Sequence, residues 1–127
     1  MGRVIAHVTI RNVIDPTKEL HCDALVDTGA TMLTLPTRWR ERLGTFPHCQ
    51  KVNMQVATQE RVETEVCGPA EIQIEGFRPV MGEICFLDMK GENGEPEPLV
   101  GYITLEQSGA AVDSLGHRLI RVPYDLK

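Results

Sequence analysis

The stretch Ala24-Leu25-Val26-Asp27-Thr28-Gly29-Ala30-Thr31 decides how the rest of this 127-residue chain is read. An apolar run delivers a single carboxylate onto a tight turn. Leu25 and Val26 favour burial, so Asp27 is poorly placed for simple solvation. Thr28 offers a hydroxyl for local hydrogen bonds, and Gly29 a backbone free to enter positive φ. Turn chemistry alone explains a bare Asp-Thr-Gly as a strand-ending Asp bonded to its own turn. The surroundings must decide between a turn and a site.

Upstream, Val4, Ala6, Val8 and Ile10 alternate with Ile5, His7, Thr9 and Arg11. That period of two is a strand signal. Asp15-Pro16-Thr17-Lys18 is turn chemistry, because proline presets φ. Leu20, Cys22, Ala24 and Val26 alternate again. Residues 3–26 therefore predict a β-hairpin that feeds the Asp27 turn. Downstream, Pro36 opens a short helix through Leu43, with Gly44 as its stop. Val52, Met54 and Val56, then Val62, Thr64 and Val66, predict a second hairpin with the polar tip Thr58-Gln59-Glu60. Gly68-Pro69 breaks the pattern. Ala70, Ile72 and Ile74, then Val80 to Phe86, alternate about Glu75-Gly76. Residues 90–98 contain no apolar side chain and predict a loop. Leu99-Val100-Gly101 is a strand end, and a helix fits 103–108 before Gly109. A closing hairpin turns at Ser114-Leu115-Gly116. The class is mainly β, with roughly seven to nine short strands and two short helices.

Composition narrows the function. Hydrophobic residues are 42% and charged residues 24%, the balance of one globular domain. Lys and Arg total 13 against 18 Asp and Glu, a net charge of −5, which lacks the footprint of a nucleic-acid binder. No apolar run approaches the roughly 20 residues that span a bilayer. Met1-Gly2-Arg3 leads straight into polar alternation without the apolar core of a secretory signal, so a cytoplasmic location is expected. Cys22, Cys49, Cys67 and Cys85 form no CxxC pair and are expected to be reduced. His21-Cys22 and His48-Cys49 are adjacent residues on strands. They point to opposite faces, so no metal site and no cofactor is expected.

With its neighbours, the Asp27 segment resembles the active-site loop of the aspartic proteases: an apolar pair, Asp-Thr/Ser-Gly, then Ala or Ser. A strand pair precedes it, as in the retroviral-type members, and a polar-tipped hairpin follows where that family carries its flap. Leu99-Val100-Gly101-Tyr102-Ile103-Thr104-Leu105-Glu106 is similar to the family's second apolar-apolar-Gly segment, which leads into a helix. The likeness runs from about Val4 to Val122 and fits the single-domain, retropepsin-like branch, most of all its small bacterial or cellular stand-alone members. Two departures stand out. The tip Ala57-Thr58-Gln59-Glu60-Arg61 lacks the glycines of retroviral flaps. Tyr102-Ile103-Thr104 stands where the family carries Arg or Met, then Asp or Asn.

The resemblance implies an acid-protease closed β-barrel with two short helices, one domain over residues 1–127. It makes Asp27 the catalytic residue and Thr28, Gly29 and Ala30 its loop support, with Thr28 locking two loops across a dimer axis. Ala57, Thr58, Gln59 and Glu60 would form the flap over an extended peptide substrate.

One carboxylate does not suffice for peptide hydrolysis. The aspartic-protease dyad, a worked case of general acid–base pairing, needs one ionised carboxylate to take a proton from water and one protonated group to polarise the carbonyl. Asp113, in Val112-Asp113-Ser114, lacks the Asp-Ser-Gly spacing and reads as a turn residue. The second carboxylate is therefore expected from a second copy of the chain, since an isologous interface duplicates every group. Trp39 reads as a packing anchor, His7 and His21 as surface residues, and Arg38, Arg40 and Arg42 as a solvated basic face. Three functions follow: an aspartic endopeptidase acting as a homodimer, a catalytically weak or inactive peptide-binding or dimerisation module of the same fold, or a regulatory protein that needs a longer partner or maturation.

Overall fold

The computed structural model describes residues 3–55, 58–89 and 97–124. Strands β1 (Ile5–Asn12) and β2 (Glu19–Val26) pair antiparallel, with Val8 opposite Cys22 and Ile10 opposite Leu20. The period-two reading is met side chain by side chain: Val4, Ala6, Val8 and Ile10 face the core, as do Leu20 and Ala24. The turn between them closes through Lys18 N–H to the Asp15 carbonyl at 3.0 Å. Asn12 ends β1 in the interior. Its amide donates to the carbonyls of Leu43 (2.6 Å) and Thr45 (2.7 Å), and its oxygen accepts from the amides of Ile14 and Asp15. With its donors and acceptor so fully paired, the cost of burying this amide is offset, and it binds the first hairpin to the helix that follows.

Next come β3 (Leu33–Pro36), a 3-10 turn (Thr37–Trp39) and α1 (Arg40–Leu43), which stops at Gly44 with φ 79°. Strand β3 was not expected from the sequence. All four of its residues are buried, so it shows no alternation. β4 (His48–Gln55) and β5 (Arg61–Ile74) form the second hairpin. Gly68-Pro69 does not end β5, as the sequence suggested. The strand continues through it with a shift of register between Cys67 and Ala70. β6 (Val80–Leu87), β7 (Leu99–Val100), α2 (Tyr102–Ser108), β8 (Ala110–Asp113) and β9 (Arg118–Arg121) complete the chain. Gly109 caps α2 in the left-handed region at φ 69°, as its position predicts.

Among the described residues the main sheet has seven strands in the order β1-β2-β7-β3-β6-β5-β4, and β1 pairs with β5 as well. β8 and β9 form a separate ribbon. The core lies inside the curved sheet, around Leu33, Leu35, Ile84 and Val100, with the Phe46 and Phe86 rings 5.9 Å apart. Trp39 packs against this core as expected, with the Arg42 guanidinium 5.5 Å over its ring. No helix among the described residues is long and apolar enough to cross a membrane.

Two expectations about side chains need correction. The cysteines are not all reduced: Cys49 and Cys67, opposite each other on β4 and β5, form a disulfide, and Cys22 and Cys85 are free. Nor is the arginine face simply solvated, because Arg40 pairs with Glu65 at 2.9 Å.

His7 and His21 lie on the exposed face of the first hairpin, and His7 Nδ1 meets the Asp23 carboxylate. The hydrogen bond to Asp23, followed by its charge, raises the His7 imidazole above its ordinary value of 6.5. The pair's contribution to stability is full below that ordinary value and is lost as pH climbs through the raised one. Asp23→Asn is therefore expected to lower the His7 titration midpoint in an NMR pH series. A midpoint that does not move would mean that Asp23 leaves the ring unaffected.

Candidate active site

Asp27 leaves the end of β2 on a turn that its own side chain organises. The Gly29 amide donates to Asp27 Oδ1 at 2.9 Å, and the Ala30 amide to the Asp27 carbonyl at 3.0 Å. Gly29 does not take the positive φ that the turn suggested; a Cβ added to it would lie 3.2 Å from Asp27 Oδ1, a tight contact that the carboxylate would have to yield to. Asp27 is half-buried, whereas Thr28 and Gly29 are exposed.

The second apolar-apolar-Gly segment closes the frame. Leu25 and Val26 pair in parallel with Leu99 and Val100, and the Asp27 amide donates to the Val100 carbonyl at 2.9 Å. Immediately after Gly101, the amides of Tyr102 and Ile103 donate to the carbonyls of Ala30 and Thr31, both at 2.9 Å. These are first-turn amides of α2 with no partner inside the helix, and the Asp27 loop supplies their acceptors. Gly101 is fully buried against that loop. A Cβ there would stand 2.5 Å from Met32 N and 2.6 Å from both Ala30 O and Thr31 C. Its φ of −89° is open to any residue, so glycine is required at this position by close approach alone.

A cavity of about 550 Å³ lies in front of the carboxylate. Asp27, Gly29 and Ala30 form one side of it, and Met54, Gln55 and Gln59 of the second hairpin face them. Thr34, Thr64, Cys85, Leu87 and Leu99 are among its walls. Among the described residues lining it, Asp27 is the one carboxylate. Of the expected flap residues, Gln59 reaches the cavity and Thr58 and Glu60 are exposed at the tip. Ala57 lies outside the described residues. Gln59 takes the left-handed conformation at φ 72°, a role that glycine fills without steric cost, and Gln55 Nε2 donates to its Oε1 at 2.8 Å.

Sequence reasoning missed Met54, Cys85 and Leu87 as cavity residues. Their alternation marked them only as strand residues, and which strands meet at the cavity is set by long-range pairing. Burial pushes the Cys85 thiol up, against the hydrogen bonds of Thr64 and Thr34. Asp113 is the turn residue expected: its Oδ1 accepts from the amides of Leu115 and Gly116, both at 3.1 Å, and Arg118 sits at 3.3 Å. The Gly116 amide is the main cause holding its carboxyl below the usual range.

Among the described residues, the donor atoms of Cys49, Glu65 and Cys67 lie within 4.8 Å of one another. The two sulfurs are joined to each other and Glu65 is paired with Arg40, so this cluster offers no free ligand set for a metal.

Comparison with known proteins agrees with this geometry. A family model described as aspartyl protease matches residues 7–102. A search of curated proteins finds no match. Among solved structures, the EIAV protease complexed with the inhibitor HBY-793 superposes with a TM-score of 0.65 and 22% sequence identity, over 88% of this chain and 93% of that one. At that identity the likeness establishes the fold, which is retropepsin-like. The family match spans most of the sequence and contains both the Asp27 turn and the Gly101 segment, so the chain belongs to the aspartyl protease family.

Proposed function

We propose that this chain is an aspartic endopeptidase whose active site is completed by a second copy of itself. The observation that carries the reading is Asp27, the one carboxylate among the described residues lining a cavity of about 550 Å³, framed by the Asp-Thr-Gly turn and the Gly101 segment. Asp113, the other carboxylate that the sequence raised, is committed to its own turn. A twofold axis beside Asp27 would bring two identical carboxyls together without any further residue.

In that arrangement the two carboxyls share one proton. The ionised one removes a proton from water as its oxygen attacks the scissile carbonyl carbon. The protonated one donates a hydrogen bond to the carbonyl oxygen, which becomes the hydroxyl of a tetrahedral diol. Collapse of the diol breaks the C–N bond while a carboxyl delivers a proton to the leaving nitrogen. Gly29 N–H fixes Asp27 Oδ1 in the loop. The exposed Thr28 hydroxyl is free to bond across the axis. The hairpin carrying Met54, Gln55 and Gln59 covers the substrate, which binds extended because backbone hydrogen bonds require no particular side chain. The protease of similar fold named above was solved with an inhibitor bound, which fits a cleft of this kind.

Because each site needs two chains, specific peptide-cleaving activity is expected to rise with protein concentration and to level off once the dimer is filled. Pepstatin should bind saturably to the dimer. An active species that sediments as a monomer at every concentration would overturn the reading.

A further inference from the structure

The hairpin that faces Asp27 is held by an unusual combination of forces. Among the described residues, β4 is the edge of the seven-stranded sheet and pairs with β5 only. None of its eight residues is fully buried, so apolar packing contributes little to holding it down. One covalent link ties it to the body: Cys49 on β4 joined to the fully buried Cys67 on β5. Arg40 of α1 lies against this link, with one guanidinium nitrogen 2.9 Å from Glu65 and the other 3.5 Å from Cys49 Sγ. The link sits at the base of the hairpin, and Met54 and Gln55, farther along the same strand, line the cavity.

We propose that the Cys49–Cys67 bond is a thiol-responsive tether of the flap hairpin, closed by oxidation and opened by a small dithiol reductant. The sulfurs differ in access, Cys49 being half-buried and Cys67 wholly buried, so the reductant's thiolate attacks Cys49. The S–S bond breaks and the Cys67 sulfur leaves with the electron pair and takes up a proton. The second thiol of the reductant, deprotonated, then attacks its own sulfur in the mixed disulfide. The reductant departs as a cyclic disulfide, and the Cys49 sulfur is released as a thiolate beside the Arg40 guanidinium, which stabilises the negative charge. Two electrons pass from reductant to protein; of the two protons the dithiol gives up, one ends on Cys67 and the other goes to solvent. A reducing compartment would keep the pair as thiols and make oxidation the event that fastens the hairpin. The consequence for substrate rests on the proteolytic reading above, but the consequence for the hairpin does not.

The test compares the oxidised full chain with the same chain after excess dithiothreitol. Alkylation under denaturing conditions should find two reactive thiols, Cys22 and Cys85, before reduction and four after it. The β4 amides bonded to β5 should exchange with solvent about tenfold faster on reduction, as expected when a cross-link over 18 residues is released, while β1 and β2 are unchanged. KM for a peptide substrate should rise by roughly threefold, as for a loosened lid. A Cys49→Ser/Cys67→Ser double variant should match the reduced protein with or without dithiothreitol. Four alkylated thiols before reduction, or β4 exchange that ignores reduction in the wild-type chain, overturns the proposal. A chain whose exchange responds while no peptide is cleaved at any concentration refutes the protease reading and leaves the tether standing.

Discussion

Asp27→Asn is expected to abolish peptide hydrolysis, lowering kcat by at least about 10⁴-fold, while the loop and the dimer survive. The asparagine oxygen can still accept the Gly29 amide, which now donates to Asp27 Oδ1 at 2.9 Å, so the turn keeps its local bond. What is lost is ionisation: an amide neither takes a proton from water nor gives one to the leaving nitrogen, and general acid–base catalysis alone accounts for roughly 10²–10⁴ in rate at each proton transfer. In the proposed dimer two ionised carboxylates would face and repel each other, and the mutant would remove that repulsion. Its dimer should therefore be at least as tight as wild type at pH 8. In the proposed dimer, activity should follow a bell on the acidic side of neutrality, because the working state would hold one shared proton. Peptide assays and sedimentation at two pH values check both statements. A variant that cleaves at the wild-type rate would end the catalytic role of Asp27. An inactive variant with a much weaker dimer at pH 8 would assign Asp27 to structure instead.

The second large effect is expected at Gly101. In Gly101→Ala the new methyl would meet backbone atoms of Ala30, Thr31 and Met32 at 2.5–2.6 Å, and backbone cannot swing aside as a flexible side chain can. Overpacking of this kind costs about 1–3 kcal/mol, and the loop that must shift to relieve it carries Asp27. A fall in Tm of roughly 4 °C per kcal/mol is expected, together with loss of activity well beyond what the unfolded fraction explains. Gly76→Ala is the contrast. Nothing lies within 4 Å of a Cβ there, but φ is +90°, so that variant should lose stability through backbone strain and keep its activity. Equal activity and equal Tm in Gly101→Ala and wild type would show that the close approach is not tight.

Much of this architecture was legible before any coordinates. Alternation fixed the two hairpins and the inward faces of Val8, Ile10 and Leu20, because a side-chain period of two on a half-buried strand leaves a direct trace. The Asp27 turn and the Gly101 segment were legible as a pair only through their resemblance to the two corresponding segments of the aspartic proteases. Leu33–Pro36 left no trace, since a strand buried on both faces does not alternate. Gly68-Pro69 misled in the other direction, as a turn signal absorbed within one long strand. The cysteine pairing was invisible for a different reason. Residues 49 and 67 are cross-strand neighbours only in one register of the hairpin, and spacing along the chain does not state the register. Arg40 likewise read as one of three surface arginines, and only the packing of α1 against the hairpin singles it out.

The strand order has a bearing on how the protein is made. The chain runs directly from β2 to β3 through the Asp27 turn, yet β7 lies between those two strands. They are thus separated by two strand spacings, roughly 9.5 Å, and the turn is an arch over a keystone of two residues, Leu99 and Val100. On the ribosome, where folding proceeds from the N-terminus, the arch emerges long before its keystone. A nascent chain that has produced both hairpins holds the carboxylate but lacks the Val100 carbonyl and the α2 amides that orient it. The carboxylate acquires its geometry only once Val100 and the amides of Tyr102 and Ile103 have followed it out of the ribosome, so the loop that carries it is among the last parts of this sheet to be set.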